Sequence, residues 1–162
     1  MWIKWLVERN GPNVTIGIHG VSMGGGTVLE YAAINRYAKF IIADCPYSDM
    51  YELIKYQIRN RNHLPAYPLI YVIDAMLARF AGFRMRDVSP INAVKESETP
   101  VMFIHGRDDD FVPAYMSERM YETKKGRKKL LMIDGAEHGE AYEKDAQKYK
   151  EEMMSFVEEA LT

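Results

Sequence analysis

The stretch Val14-Thr15-Ile16-Gly17-Ile18-His19-Gly20-Val21-Ser22-Met23-Gly24-Gly25-Gly26-Thr27 decides the fold. Its first part, Val14 to Ile18, is a continuous apolar run of the kind that forms a buried strand. From Thr27 to Tyr37 the apolar residues Val28, Leu29, Ala32 and Ala33 return at helical spacing. Between the two sits Ser22, with Gly20 and Gly24 two residues to either side. A serine so placed between strand and helix turns so tightly that larger residues at the flanking positions would collide. The turn lifts the hydroxyl out of the sheet. It also sets the Met23 backbone N–H at a helix N-terminus, where unpaired amides stabilise an oxyanion. Ser22 is therefore the candidate nucleophile and the Met23 N–H a candidate oxyanion donor.

Outward from this turn the chain alternates strands and helices. Trp2, Trp5 and Leu6 share one face of a short helix that Gly11-Pro12 ends. Lys39 to Ala43, Pro100 to Ile104 and Lys129 to Ile133 read as three further strands, each apolar enough to be covered on both faces of a parallel sheet. A last amphipathic helix, roughly Glu140 to Leu161, turns Tyr149, Met153, Phe156 and Val157 toward the core. Residues 49–88 break the rhythm. Their helical stretches, interrupted by Pro65 and Pro68, form a connection too long for a plain crossover. They serve either as extra core or as a cap over a pocket, with Tyr51, Tyr56, Tyr67 and Tyr71 as candidate substrate-facing side chains and Tyr47 just before them.

Composition limits what the motif can mean. A chain of 162 residues, 48% hydrophobic, can bury one sizeable core and reads as a single domain over 1–162. With 21 basic against 23 acidic residues, no global field draws it to nucleic acid or an anionic membrane. The one basic cluster, Lys124 to Lys129, is expected to be a solvated turn. A single cysteine, Cys45, excludes an internal disulfide and fits a reducing, cytoplasmic compartment. No apolar run reaches membrane-span length, and Met1 to Val7 lacks the pattern of a secretory signal. A phosphate loop would need a Lys-Ser/Thr pair, and no G-x-G-x-x-G follows a strand, so no nucleotide cofactor is expected. Histidine spacing and the lone cysteine suggest no metal.

A serine nucleophile needs a base, and the base an orienting acid. Of four histidines, His138 lies in Gly135-Ala136-Glu137-His138-Gly139 after the fourth strand, at the same sheet edge as Ser22 if the strands are parallel. His19 and His105 precede glycines at strand ends and are expected to be structural; His63, in the cap segment, is expected to face solvent. In the chain order serine, acid, histidine, the acid falls on the loop His105-Gly106-Arg107-Asp108-Asp109-Asp110-Phe111-Val112-Pro113. Asp44, at the end of the second strand, is the other candidate.

These residues together resemble the α/β-hydrolase family, over nearly the whole chain and with similarity to its bacterial prolyl-oligopeptidase-like and esterase branches. The resemblance implies an α/β fold: the C-terminal part of the hydrolase fold, with a mostly parallel sheet of about four strands, flanking helices and a helical cap at 49–88. The family's acid loop, His-Gly-x-x-Asp-x-x-Val-Pro, implies Asp109 as the acid that orients His138. It implies a serine hydrolase acting on a small ester, amide or peptide. A complete member carries strands before the elbow and a loop that supplies a second oxyanion N–H. The expectation is therefore an elbow strand with an open edge at 14–18. That edge would be covered by self-association, by a separate N-terminal half, or by rearrangement of the cap. A fragment with little activity of its own is the alternative to a working hydrolase.

Overall fold

The computed structural model describes residues 2–162. Its elements follow in chain order: α1 (Trp2–Asn10), β1 (Ile16–Val21), α2 (Met23–Ala32), β2 (Ala38–Asp44), α3 (Met50–Tyr56), α4 (Leu69–Met76), α5 (Pro90–Lys95), β3 (Val101–Gly106), α6 (Tyr115–Thr123), β4 (Lys128–Ile133), α7 (Ala141–Lys144) and α8 (Ala146–Leu161). The four strands form one parallel sheet in the order β1-β2-β3-β4. Every connection therefore runs back along the sheet, and all four C-terminal strand ends meet at one edge.

Alternation along the strands divides the core between the two faces. Ile41, Ala43, Val101 and Phe103 pack against Leu29 of α2, Val94 of α5 and Met120 of α6. Ile42, Met102, Ile104, Leu131 and Ile133 pack on the other face against Tyr149 and Phe156 of α8, with Met153 and Val157 alongside. Burial on both faces, expected for every strand, holds for β3, which is buried throughout. It fails for both edge strands: burial alternates along β1, where Val21 is 46% exposed, and in β4 only Leu131 and Ile133 are buried.

Several boundaries differ from the sequence reading, for local reasons. The elbow strand continues to Val21, because residues 17 to 21 pair in register with Phe40 to Asp44. The following helix begins at Met23, earlier than Thr27, since its glycines pass close to other groups: a Cβ on Gly25 would come within 3.0 Å of the Asp44 carbonyl oxygen and one on Gly26 within 2.6 Å of the Tyr47 ring. It ends at Ala32, and Asn35 then accepts from the Tyr37 and Ala38 N–H groups to start β2. The last helix is broken at Asp145, whose carboxylate accepts from the Lys148 N–H and caps α8. Lys124 corrects the reading of the basic cluster as a solvated turn. It is 1% exposed, and its Nζ donates to the Ser97 carbonyl at 2.8 Å and to that of Lys125.

Residues 49–88 contain α3 and α4, each running into a wider helical turn (57–61 and 77–81), and a short turn at 85–87. Ile58, Ala66, Ile70 and Met85 give this segment a small core of its own. No helix among the described residues is long and apolar enough to cross a membrane. Phe103 is fully buried between the helices of one face. Phe103→Ala is expected to cost about 3–5 kcal/mol, read as a lower urea midpoint with an unchanged slope.

Candidate active site

Ser22 sits between β1 and α2 with φ 55 and ψ −117, a backbone conformation that L-residues rarely hold. Two contacts impose it. The Ser22 N–H donates to the Asp44 carbonyl at 2.8 Å, tying the turn to the end of β2. Gly20 passes so close to Gly24 that a Cβ would strike the Gly24 carbonyl oxygen. The first intrahelical bond of α2 is Gly26 N–H to Ser22 O, so the N–H groups of Met23, Gly24 and Gly25 come before the ladder begins.

His138 and Asp109 reach the same edge by a second set of ties. The Arg107 N–H donates to Ile133 O and the Asp108 N–H to Ala136 O, joining the loop after β3 to the loop after β4. Gly106 has no room for a Cβ, because the Ala136 carbonyl lies against it. This register brings His138 Nδ1 to 2.7 Å from Asp109 Oδ2, and His138 Nε2 to 2.7 Å from Ser22 Oγ. The three side chains form one hydrogen-bond chain.

Asp109 is buried, while Asp108 and Asp110 are exposed and Asp110 pairs with Arg61 at 3.2 Å. Burial by itself would raise the Asp109 pKa. Hydrogen bonds from His105, His138 and the Val112 N–H outweigh burial and hold the carboxyl well below the usual carboxylate range. Oδ1 also accepts from the Phe111 N–H at 2.9 Å. His105 is fully buried, with Nδ1 2.7 Å from Ser117 Oγ and Nε2 2.8 Å from Val112 O, and so supports the acid loop. His19 faces the Tyr149 hydroxyl at 3.3 Å, and His63 is exposed. Asp44 does not join the hydrogen-bond chain: its Oδ2 accepts from the Tyr149 hydroxyl at 3.0 Å behind the turn.

A cleft of about 220 Å³ opens on Ser22 and Met23, walled by Tyr47, Met50, Leu53, Ile54, Gln57, Phe111 and Val112. Tyr47 is thus at the cleft. Tyr51 and Tyr67 are not: their hydroxyls lie 3.4 Å from each other on the outside of the cap, where Arg86 stacks on Tyr51 and Lys55 on Tyr67. Tyr71 is 62% exposed, and Tyr56 turns to a polar hollow with Lys55 and Arg59. The aromatic residues drew attention in sequence, yet α3 presents an aliphatic face instead. Met50, Leu53 and Ile54 recur at helical spacing, with Gln57 in the turn that follows, a signal legible in the sequence, whereas the direction of that face was not. A larger hollow of about 470 Å³ lies between α1 and α2, lined by residues such as Trp2, Tyr31 and Tyr37 and away from Ser22.

The model of the prolyl oligopeptidase family matches residues 2–162. The chain belongs to that family. It is 40% identical over 158 residues to an uncharacterized Bacillus subtilis protein, YqkD, covering 96% of this chain and 52% of the relative. The chain therefore spans about half the length of that relative. A 66-residue stretch is 35% identical to Escherichia coli YfhR, covering 40% of this chain and 23% of YfhR. Among solved structures it is similar to the Pyrococcus furiosus esterase Pf2001, with a TM-score of 0.74 at 21% identity over 99% of this chain and 59% of the esterase. The acylaminoacyl peptidase of Pyrococcus horikoshii gives 0.69 at 20% identity, over 99% of this chain and 29% of the peptidase. The fold of this family member is that of the α/β hydrolases, matched over a portion of each neighbour's length.

Two outcomes follow from this packing. Gly20→Ala is expected to cost about 1–3 kcal/mol, because backbone rather than a mobile side chain stands in the way; thermal unfolding would record it. Since the Asp109 pKa is lower in the folded chain than in the unfolded one, its stabilisation is complete at neutral pH and is lost as pH falls from about 4 downward. Asp109→Asn should remove that component from the acid-unfolding curve.

Proposed function

We propose that this chain is a serine hydrolase that cleaves an ester or amide bond through an acyl-enzyme. The observation that carries the reading is the unbroken hydrogen-bond chain from Ser22 Oγ through His138 to Asp109, at the C-terminal edge of a parallel sheet. Ser22 attacks the carbonyl carbon while His138 Nε2 takes its proton. The Met23 N–H, at the start of α2, donates to the oxyanion of the tetrahedral intermediate. His138 passes its proton to the leaving group, then activates water to release the acyl group. Asp109, ionised across the neutral range, holds the Nδ1–H tautomer and offsets the charge that His138 acquires.

The cleft supports a restricted acyl group. At about 220 Å³ it lies below the roughly 300 Å³ lower bound of drug-sized sites, so it suits a short acyl chain or one apolar side chain. The unpaired thiol of Cys45 suits the reducing cytoplasm as the working compartment.

Labelling by a fluorophosphonate probe tests the chemistry. The native chain should label at Ser22, while Ser22→Ala and His138→Ala should not. Asp109→Asn should slow turnover of a short-chain ester by about 10⁴-fold. A folded native chain that resists the probe would count against this reading.

One observation favours a second reading, in which the site works only in an assembly. Among the described residues no strand pairs with the outer edge of β1, and Trp2 and Trp5 of α1 are 76% and 44% exposed. Such an edge is a template for another strand. In this reading the edge pairs with a second copy of the chain or with an N-terminal half, which also completes the oxyanion hole. Light scattering after size exclusion should then show a dimer or larger species; a stable monomer that labels fully would remove this reading.

A further inference from the structure

The near-balance of charge over the whole chain conceals an uneven distribution. Residues 49–88 hold six basic side chains against four acidic ones. The four acids are engaged locally. Asp49 accepts from the Glu52 N–H, Glu52 pairs with Arg119, Asp74 with Arg84, and Asp87 accepts from the Arg84 N–H. Of the six cations, Arg84 is thereby matched, and Arg61 pairs with Asp110. Lys55, Arg59, Arg79 and Arg86 have no carboxylate partner among the described residues. Three of these lie instead over aromatic rings: Lys55 over Tyr67, Arg79 over Phe80 and Arg86 over Tyr51.

Beside these cations α4 is apolar around its whole girth. Ile70, Ile73 and Leu77 turn inward to the small core that holds Ile58 and Met85. On the outward face Tyr71, Val72, Met76 and Phe80 are each more than half exposed, and with Ala75 and Arg79 they line a shallow hollow of about 450 Å³. Helices apolar on every side are buried ones, so this outward face calls for a cover. At the start of α4 the Tyr67 and Tyr71 rings, 5.3 Å apart, continue the face, and the Tyr51 hydroxyl lies 3.4 Å from that of Tyr67. The surface thus grades from aliphatic side chains, through tyrosines with polar tips, to Lys55 and Arg86, while Arg79 and Phe80 close it in the turn after α4.

We propose that this face of the cap binds the surface of an anionic lipid bilayer. Val72, Met76 and Phe80 enter the boundary between headgroups and acyl chains, the tyrosines take the headgroup level, and Lys55, Arg79 and Arg86 meet lipid phosphates. The helix and its following turn are too short to cross, so the contact is one-sided. Charge decides the occupant. A second copy joined about a two-fold axis would set this basic face against itself, which like charges oppose. A nucleic acid would find cations at the rim, but at the centre Val72, Ala75 and Met76 offer its bases no stacking platform. Met50 and Ile54 of α3 pack on the core beneath α4 and also wall the Ser22 cleft. The docking face and the cleft wall are therefore two sides of one packed unit.

Binding does not depend on the hydrolytic reading and is measured without turnover. Vesicles of phosphatidylcholine with roughly 30% phosphatidylserine should sediment the native chain, and vesicles of phosphatidylcholine alone should bind it about tenfold more weakly or worse. Salt raised to about 0.5 M should weaken the binding to anionic vesicles. Met76→Ser combined with Phe80→Ser, both at exposed positions, should leave the thermal midpoint in place and weaken binding by about tenfold or more. Lys55→Gln and Arg79→Gln should each weaken it by about fivefold. Trp2→Ser, on the other exposed apolar surface, should leave it unaltered. No sedimentation with anionic vesicles, equal binding to neutral ones, or a loss that follows Trp2 instead of Met76 and Phe80 would overturn the proposal. Tighter binding to a DNA duplex than to anionic vesicles would overturn it too, as would a dimer in light scattering that the Met76→Ser, Phe80→Ser chain does not form.

Discussion

Everything at the site depends on the turn that Ser22 makes between β1 and α2. Its backbone is held at a positive φ by the Ser22 N–H bond to the Asp44 carbonyl and by the close passage of Gly20 against Gly24. Such strain persists only where surrounding contacts over-determine it. Here the contact reaches across to the next strand, so the turn cannot relax without unpairing β1 from β2. The same turn starts α2, and with it the row of free N–H groups beneath the hydroxyl.

The parallel sheet supplies the rest by geometry. Because the strands run in one direction in the order β1-β2-β3-β4, Ser22, Cys45, Asp109 and His138 each follow a different strand and still arrive at one edge. The loops after β3 and β4 are then locked to each other through Gly106 and Ala136, which fixes the distance from Asp109 to His138 more tightly than either loop could alone. Asp109 accepts from two backbone N–H groups and faces two histidines, so burial, which alone would neutralise it, instead leaves it ionised. His105 is part of that support. A histidine that does not contact Ser22 thereby helps to orient the one that does.

The cap segment shows where side-chain pattern misleads. Its tyrosines are conspicuous, but Tyr51 and Tyr67 spend their hydroxyls on each other and their rings on Arg86 and Lys55, outside the cleft. Aliphatic residues of α3 face Ser22 instead. Aromatic rings with polar tips sit well at a wet surface, whereas Met, Leu and Ile make an apolar wall beside Ser22.

Local rules were sufficient for much of this. A glycine-bounded serine between an apolar run and a helical period specifies the elbow, because sterics at Gly20 act over a few residues; the expected collision at Gly24 is not found, since a Cβ there would meet nothing within 4 Å. Apolar runs specified the four strands and α8, since burial follows the period of the pattern. The choice of His138 among four histidines followed from its loop after the fourth strand, at the sheet edge of Ser22, and that of Asp109 among three adjacent aspartates from a resemblance. Only the tertiary structure decided what depends on distant segments meeting. It set the 2.7 Å spacings that join Ser22, His138 and Asp109, the direction of the α3 face, the burial of Lys124 against Ser97, and the approach of Cys45 to His138. Spacing along a chain carries no information about such approaches. They are fixed by strand order and register, which bring residues more than ninety positions apart to within a bond or two of each other.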